Sequence, residues 1–309
     1  MDLAEKVLKA EKTLKLSAEM SKAYYDAPLI LAYSGGKDSS VMLDLAEKVL
    51  KANEFEVLNA HTSVDMPETV QFIRSEFKRL NDKGIKAMVY YPRYKDGTHK
   101  TMWNLIEKKH SVPTRLQRFC CAELKEISTP NRLCALGVRG AESTGRKGRD
   151  TFGTRGATKE KAIFFSLDHT EEVHREAQEF QDPVWHCTLI NAMENHEDTV
   201  VNPIYEFTDS DIWDYINQNN LKINPLYSTG RMRVGCIGCP MKGYKEKIRD
   251  FTEYPTYKMA YINAFQKIVD YRKEKGLPLN EIWKDGQSVF EWWIEENKHN
   301  CKGQIELKL

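Results

Sequence analysis

The sequence predicts an α/β fold, a parallel sheet flanked by helices, followed by a mainly helical C-terminal lobe. Three observations lead there. Short apolar runs alternate with helix-period segments as far as Val138, the pattern of parallel strands joined by helical crossovers. The first apolar run ends in a glycine turn that opens a helix. Beyond about residue 205, helical periodicity takes over.

Taken in order, Asp2 to Tyr24 reads as an amphipathic helix with Leu3, Val7, Leu14 and Ala18 near one face. Leu29 to Tyr33 is a buried-strand run, and Ser39 to Lys51 a helix with Val41, Met42, Leu45 and Val49 at helical spacing. Glu56 to His61 is the second strand, Glu68 to Leu80 a helix, Ala87 to Tyr91 the third strand and Leu133 to Val138 the fourth. Right-handed crossovers join such strands. Asp209 to Asn217, capped by Thr208, and Tyr254 to Lys275 are helices. Tyr257, Tyr261, Phe265, Ile268 and Tyr271 recur at helical spacing. With Trp283, Phe290, Trp292 and Trp293 they are expected to be packing residues that hold the lobe to the main domain. The expected division is an N-terminal helix over 1–26, an α/β domain over 27–205 and the helical lobe over 206–309.

The chain has 309 residues, long enough for one large α/β domain plus a smaller lobe. No apolar run approaches the ~18 residues that span a bilayer. Met1 to Asp26 carries charge throughout and has no apolar signal core, so a cytoplasmic protein with no membrane partner is expected. A net charge of +1 removes any argument for nucleic-acid binding from overall basicity. That balance hides strong local charge, however. Arg93 to Lys125 carries +5, Arg139 to Lys161 +4 and Arg231 to Arg249 +5, against −11 over Ala162 to Asp211. Seven cysteines, an odd number in such a chain, argue against a disulfide framework and for metal or thiol chemistry.

The glycine turn carries the most chemistry. Ser34-Gly35-Gly36-Lys37-Asp38-Ser39-Ser40 follows a strand and opens a helix. Gly35 and Gly36 allow a sharp turn that brings backbone N–H groups close to an anion. The helix N-terminus adds its dipole and unpaired donors. Lys37 supplies a mobile positive charge, and Ser34 and Ser39 supply hydroxyls. The spacing matches neither the P-loop, with four residues between Gly and Gly-Lys-Ser/Thr, nor the Gly-x-Gly-x-x-Gly dinucleotide turn.

Ser34-Gly-Gly-Lys-Asp-Ser39 resembles the PP-loop of the ATP pyrophosphatase superfamily. The resemblance implies a Rossmann-like sheet of the adenine nucleotide alpha hydrolase type, with ATP and Mg²⁺ as cofactors and the loop holding the pyrophosphate. Further segments resemble the phosphoadenosine phosphosulfate (PAPS) reductase-like branch. His61-Thr-Ser-Val-Asp65-Met-Pro67-Glu68-Thr69 is partly similar to its region after the second strand, without the usual Thr-Gly following the Asp. Gly137-Val-Arg139-Gly-Ala-Glu142-Ser143 with Arg146 resembles its arginine segment. Asn202-Pro203 through Thr208, Asp211, Trp213 and Tyr215 to Asn224-Pro225-Leu226-Tyr227 resembles its downstream signature. These segments lie in the family's order. The resemblance implies that Ser34, Gly35, Gly36, Lys37, Asp38, Ser39, Ser40, His61, Asp65, Gly137 and Arg139 bind the nucleotide. It assigns Lys37, Asp38, Arg139 and Arg146 to catalysis, with Asp38 helping to hold Mg²⁺.

Cys120-Cys121 and Cys236-Ile-Gly-Cys239 form two pairs. A C-x-x-C turn places two thiolates near one ion or one cluster face, and four sulfurs suit tetrahedral zinc or an iron–sulfur cluster. The adjacent pair is unlike a zinc knuckle. The combination resembles the [4Fe–4S] ligand set of adenylyl-sulfate reductases and of DndC, the sulfur-transfer protein of DNA phosphorothioation. This implies a [4Fe–4S] cluster, with zinc as runner-up. Arg118, Lys125, Arg231 and Arg233 flank the quartet in sequence and suit a net-negative centre or an anionic substrate. Cys134 reads as a core residue of the fourth strand and Cys187 as another core thiol. Cys301 is a candidate nucleophile near the C-terminus, without the Glu-Cys-Gly-x-His context of the reductases.

The resemblance implies an enzyme that binds ATP, adenylates an acceptor with release of pyrophosphate and supports sulfur transfer. DNA or tRNA is the acceptor class, and a sulfur or electron donor protein the partner. The alternatives are a thiol-dependent reductase of adenylyl sulfate or phosphoadenylyl sulfate, and a non-catalytic nucleotide- or nucleic-acid-binding Fe–S subunit.

Overall fold

A computed structural model describes residues 1–125, 132–142, 151–154 and 199–295. Two compact units emerge, and each is interleaved along the chain. The first takes Met1–Asn59, Pro67–Tyr90 and Ser128–Val234, and the second Ala60–Met66, Tyr91–Ile127 and Gly235–Leu309. Residues 206–234, assigned to the C-terminal lobe from their helical periodicity, belong to the first unit. Their helix packs on the helix that follows the glycine turn, a long-range contact that periodicity does not encode.

The first unit is the expected α/β layer. Its strands are β1 (Leu29–Ala32), β2 (Phe55–Ala60), β3 (Ala87–Tyr90), β4 (Leu133–Ala135), β5 (Phe152–Thr154) and β6 (Thr199–Val201). They lie in the order β3-β2-β1-β4-β6-β5. Five of the strands are parallel. The edge strand β5 runs antiparallel to β6, with Gly153 opposite Val200, which departs from the all-parallel expectation. β5 and β6 are three residues each, too short to show a period of two. β4 ends at Ala135 rather than Val138, although the Leu136 amide still donates to the Val201 carbonyl. Cys134 is buried in β4 as expected.

Helices α1 (Leu3–Tyr25), α2 (Lys37–Val49) and α3 (Pro67–Asp82) match the expected segments within a few residues. So does the helix over Asp209–Gln218, here α5, since α4 (Met102–Lys109) precedes it. One core joins them: Leu14 and Leu16 of α1, Val41 and Leu45 of α2, Phe72 and Leu80 of α3, Ile212 and Tyr215 of α5, and the strand residues Leu29, Leu31 and Val57. Burying such apolar side chains contributes about 1.5–3 kcal/mol each. The strand order places the chain reversal between β1 and β4, whose C-terminal ends feed loops that diverge to opposite sides. Open α/β sheets bind ligands at such a point.

The second unit contains α4, α6 (Tyr244–Glu253), α7 (Pro255–Glu274) and α8 (Gly286–Glu295). The aromatics expected to hold the lobe to the main domain instead form a core within this unit. Trp293 is fully buried, with ring centroids of Tyr261, Phe265 and Phe251 at 4.9, 5.4 and 5.9 Å. Its indole N–H donates to the Pro113 carbonyl at 2.7 Å. Among the described residues, no helix is long and apolar enough to cross a membrane.

Two predictions follow from this packing. Trp293→Ala is expected to cost about 3–5 kcal/mol in denaturant unfolding, the range for emptying a buried aromatic site. In the first unit, burial would raise the Glu47 carboxyl, but hydrogen bonds from Arg79 and Lys83 outweigh it and hold it below the ordinary range. A carboxyl lowered by folding contributes stability above its unfolded pKa and loses it as pH falls through the folded value. The stability gap between wild type and Glu47→Gln should therefore be widest near pH 7 and narrow below the ordinary glutamate range in urea titrations.

Candidate functional site

The glycine turn sits where β1 gives way to α2. Gly35 has φ +70°, and a β-carbon there would stand 2.9 Å from Ile73 Cγ1 and 3.2 Å from Thr69 Cγ2. Both the left-handed backbone and the lack of space require glycine. Gly36 is the N-cap of α2 and provides no side-chain cap, so the amides of the first helical turn depend on partners from outside the helix. Ser39 Oγ donates to the Gly36 carbonyl at 2.9 Å and lies 3.2 Å from Ser34 Oγ, which ties the two ends of the turn together. Asn224 Nδ2 donates to the Gly35 carbonyl at 3.3 Å and to Thr69 Oγ1 at 2.9 Å. Tyr227 Oη accepts the Lys37 amide at 2.9 Å, and Trp213 meets the Tyr227 ring edge-on at 5.5 Å. Gly137, after β4, approaches so closely that a β-carbon would be 3.1 Å from the Ser39 nitrogen.

Four charges lie on this turn. Lys37 and Arg139 are buried at 5% and 2% exposure. Arg139 Nε donates to Asp38 Oδ1 at 2.5 Å and its Nη2 to Asp209 Oδ1 at 2.8 Å. Lys37 Nζ donates to the same Asp209 oxygen at 3.0 Å and to Asp38 Oδ1 at 3.2 Å. Lys37 is thus a held cation, not the mobile one expected, because two carboxylates fix its ammonium. Asp38 faces two cations, an arrangement that competes with any metal ion for its oxygens. The Lys37 hydrogen bond, opposed by some desolvation and reinforced by the charges of Lys37 and Arg139, holds the Asp209 carboxyl below the ordinary aspartate range.

The structure brings Ser34–Ser40, Gly137 and Arg139 together in the first unit. His61 and Asp65 lie in the second unit, with 3.6 Å between His61 Nδ1 and Asp65 Oδ2. Arg146, Cys187 and Cys301 fall outside the described residues. Four contributors to the turn had no role assigned from sequence: Thr69, Asp209, Asn224 and Tyr227. Thr69, Asn224 and Tyr227 stand inside the quoted motifs, so the signal was present there. Asp209 lies inside the downstream signature as well, between Thr208 and Asp211, as the first residue of a capped helix.

All four cysteines of the quartet fall in the second unit. Cys121 opens a π-helical turn that ends at Lys125. The Cys236–Cys239 turn is closed by the Cys239 amide on the Cys236 carbonyl at 3.3 Å. Gly238 has φ +65°, and a β-carbon there would lie 2.5 Å from Phe251. The buried carboxylate of Asp250 accepts the Gly238 amide at 3.0 Å and Lys242 Nζ at 2.6 Å. Tyr261 Oη donates to the Ile237 carbonyl at 3.1 Å, and the Ile237 amide donates to the Val64 carbonyl at 2.7 Å. Thr62 Oγ1 is 3.5 Å from Cys236 Sγ.

The four sulfurs feel one another. The Cys121 hydrogen bond, then burial, then the charges of Cys121, Cys236 and Cys239 push the Cys120 thiol far up. Burial, with Asp65 and Cys239 against Lys125, pushes Cys236 up to about 12. Desolvation opposes the charge on Lys125, but the surrounding thiolates and Asp65 outweigh it and hold Lys125 above the ordinary lysine value. None of the four is in a disulfide. This donor set fits a sulfur-ligated metal centre, because such a cation relieves the repulsion among thiolates. Among the described residues no group of three or more Cys, His, Asp or Glu already stands at metal-holding geometry. Arg233 pairs with Glu142 in the first unit at 3.5 Å, while Arg118 is exposed in the second.

Gly35→Ala tests whether the turn binds an anion. It places a side chain in left-handed backbone and against Ile73, at a cost of about 1–3 kcal/mol. Thermal unfolding should show that loss, and calorimetric titration should show loss of pyrophosphate binding.

Three relatives place the chain among known proteins. It is 25% identical over 288 residues to an uncharacterized protein of Methanocaldococcus jannaschii, covering 89% of this chain and 58% of that protein. The chain thus spans little more than half of that relative. It is 24% identical to the adenosine 5'-phosphosulfate reductase of Anoxybacillus flavithermus, covering 72% of this chain and 77% of that one. It is 28% identical to sulfate adenylyltransferase subunit 2 of Shewanella sp. (strain W3-18-1), covering 69% of this chain and 64% of that one. The model of the phosphoadenosine phosphosulfate reductase domain matches residues 28–242, from β1 through the second cysteine pair. On that match the chain belongs to the PAPS reductase family, within the PP-loop ATP pyrophosphatase superfamily.

Proposed function

We propose that the chain is a PP-loop enzyme that binds ATP with Mg²⁺, adenylates an oxygen of its acceptor with release of pyrophosphate, and supports sulfur transfer. The observation that carries this proposal is the glycine turn with its uncapped helix N-terminus and two buried cations, Lys37 and Arg139. An acceptor oxygen attacks the α-phosphorus, the bond to the bridging oxygen breaks, and pyrophosphate leaves with the electron pair. Ser34 to Ser40 and Gly137 cradle the phosphates. Lys37 and Arg139 face the charge that grows on the leaving group, where fixed cations in a low-dielectric site act most strongly. Arg146 contacts phosphate or acceptor. A sulfide-level sulfur nucleophile from a donor protein then displaces AMP, so the exchange is redox-neutral. The basic segments that supply or flank these residues suit an anionic substrate surface, and DNA or tRNA is the acceptor class in this proposal.

Cys120, Cys121, Cys236 and Cys239 hold the metal centre in this proposal. A [4Fe–4S] cluster there supplies thiolate-ligated iron able to handle sulfur, and zinc is the runner-up. Protein purified without oxygen should be brown and carry about four iron atoms per chain. A colourless protein with one zinc would overturn the cluster assignment.

Incubation of the chain with ATP, Mg²⁺ and candidate tRNA or DNA should yield AMP and pyrophosphate. Lys37→Ala should lower the rate at least ~100-fold, the scale for removing a group that stabilises the transition state. No ATP binding and no turnover with any acceptor would sink the proposal. The name of the Anoxybacillus relative supports a second possibility, reduction of adenylyl sulfate by a thiol. Sulfite release with thioredoxin, abolished by Cys301→Ser, would favour it.

A further inference from the structure

We infer that Asp209 is an internal competitor for the phosphate seat, a carboxylate that occupies Lys37 and Arg139 until a ligand with adjoining phosphates displaces it. The inference rests on the glycine turn being a phosphate site.

The asymmetry of the two carboxylates points to this role. Asp38 and Asp209 each contact both cations, through Oδ1 distances of 2.5 and 3.2 Å for Asp38 and 2.8 and 3.0 Å for Asp209. Asp38 stands on α2 with its side chain 20% exposed, whereas that of Asp209 is 72% exposed. One Asp209 oxygen therefore bridges two buried cations from the solvent side, as one phosphate oxygen would. Asp209 is also the first residue of α5, beside the Thr208 cap. Thr208 and Asp211 close that capping box without it, so the helix start does not need its side chain.

Charge balance supports the same conclusion. Lys37 and Arg139 against Asp38 and Asp209 sum to zero, so the seat is neutral as it stands. Releasing Asp209 to water leaves one net positive charge beside the N-terminus of α2. The release costs little desolvation, because that carboxylate is already mostly hydrated. A single phosphate group would exchange one bridging anion for another. A pyrophosphate brings a second anionic group, which the amide donors of the turn receive. Asp209 thereby sets a threshold that favours di- and triphosphate-bearing ligands over single phosphates.

The test is calorimetric titration of the full chain with inorganic pyrophosphate and with inorganic phosphate, each with and without Mg²⁺. Asp209→Asn should bind pyrophosphate about ten-fold more tightly than wild type, equivalent to about 1.4 kcal/mol. It should also gain binding of inorganic phosphate. Asp214→Asn removes the same charge from an exposed position on α5 and should bind as wild type does. A merely structural role for Asp209 would weaken binding or leave it unchanged, and either result overturns the inference. So does a loss of Mg²⁺-dependent binding in Asp209→Asn, which would make Asp209 a metal-holding residue. If neither wild type nor Asp209→Asn binds pyrophosphate or ATP, the phosphate seat itself falls, and the inference with it. If wild type binds and Asp209→Asn binds no better, the seat stands and only the inference falls.

Discussion

Two cations buried side by side repel each other and lose their hydration, so the first unit depends on what neutralises Lys37 and Arg139. Asp38 and Asp209 do so from two different elements, the helix that follows β1 and the start of α5. The network therefore ties α2, the β4 loop and α5 into one piece. Losing Asp38, the less exposed carboxylate, leaves an uncompensated charge beside the buried cations, which costs more than the pair contributes net, whereas Asp209 reaches them from the solvent side. Close packing follows from the same constraint. Gly137 must lack a side chain for the β4 loop to bring Arg139 against the first turn of α2. Tyr227 and Asn224 then secure that turn from a segment nearly 190 residues away in sequence.

The second unit solves a related problem with opposite sign. Four sulfurs gathered on two short turns would repel as thiolates, and that repulsion together with burial pushes the Cys120 and Cys236 thiols up. The Cys236–Cys239 turn is fixed by its backbone. Asp250 takes the Gly238 amide, Tyr261 donates to the Ile237 carbonyl, and the aromatic wall of Phe251 and Trp293 leaves room only for glycine. Such backbone anchoring keeps the shape of the turn independent of its sulfurs. Arg115 adds a bond to the carbonyl of Pro240, just past the second cysteine of the pair.

Much of the first unit was legible along the chain. The long strands and helices showed their periods, and the glycine turn showed its backbone requirement, because local backbone demands fix residue type at those positions. Three-residue strands such as β5 and β6 carry no readable period, and the antiparallel pairing of β5 depends on where the sheet edge falls. The aromatics of the C-terminal helices were read correctly as packing residues and assigned to the wrong partner. Helical spacing reveals an apolar face but not the surface that covers it.

The sequence by itself determined the glycine turn, the cysteine pairs and the family motifs, since each needs particular residues at short fixed spacing. Only the tertiary structure decided that Lys37 is held rather than free, that Asp209 bridges it to Arg139, and that both cysteine pairs share one unit with His61 and Asp65. These are contacts between residues tens to hundreds of positions apart. Their geometry is set by strand order and helix packing, which no local pattern records.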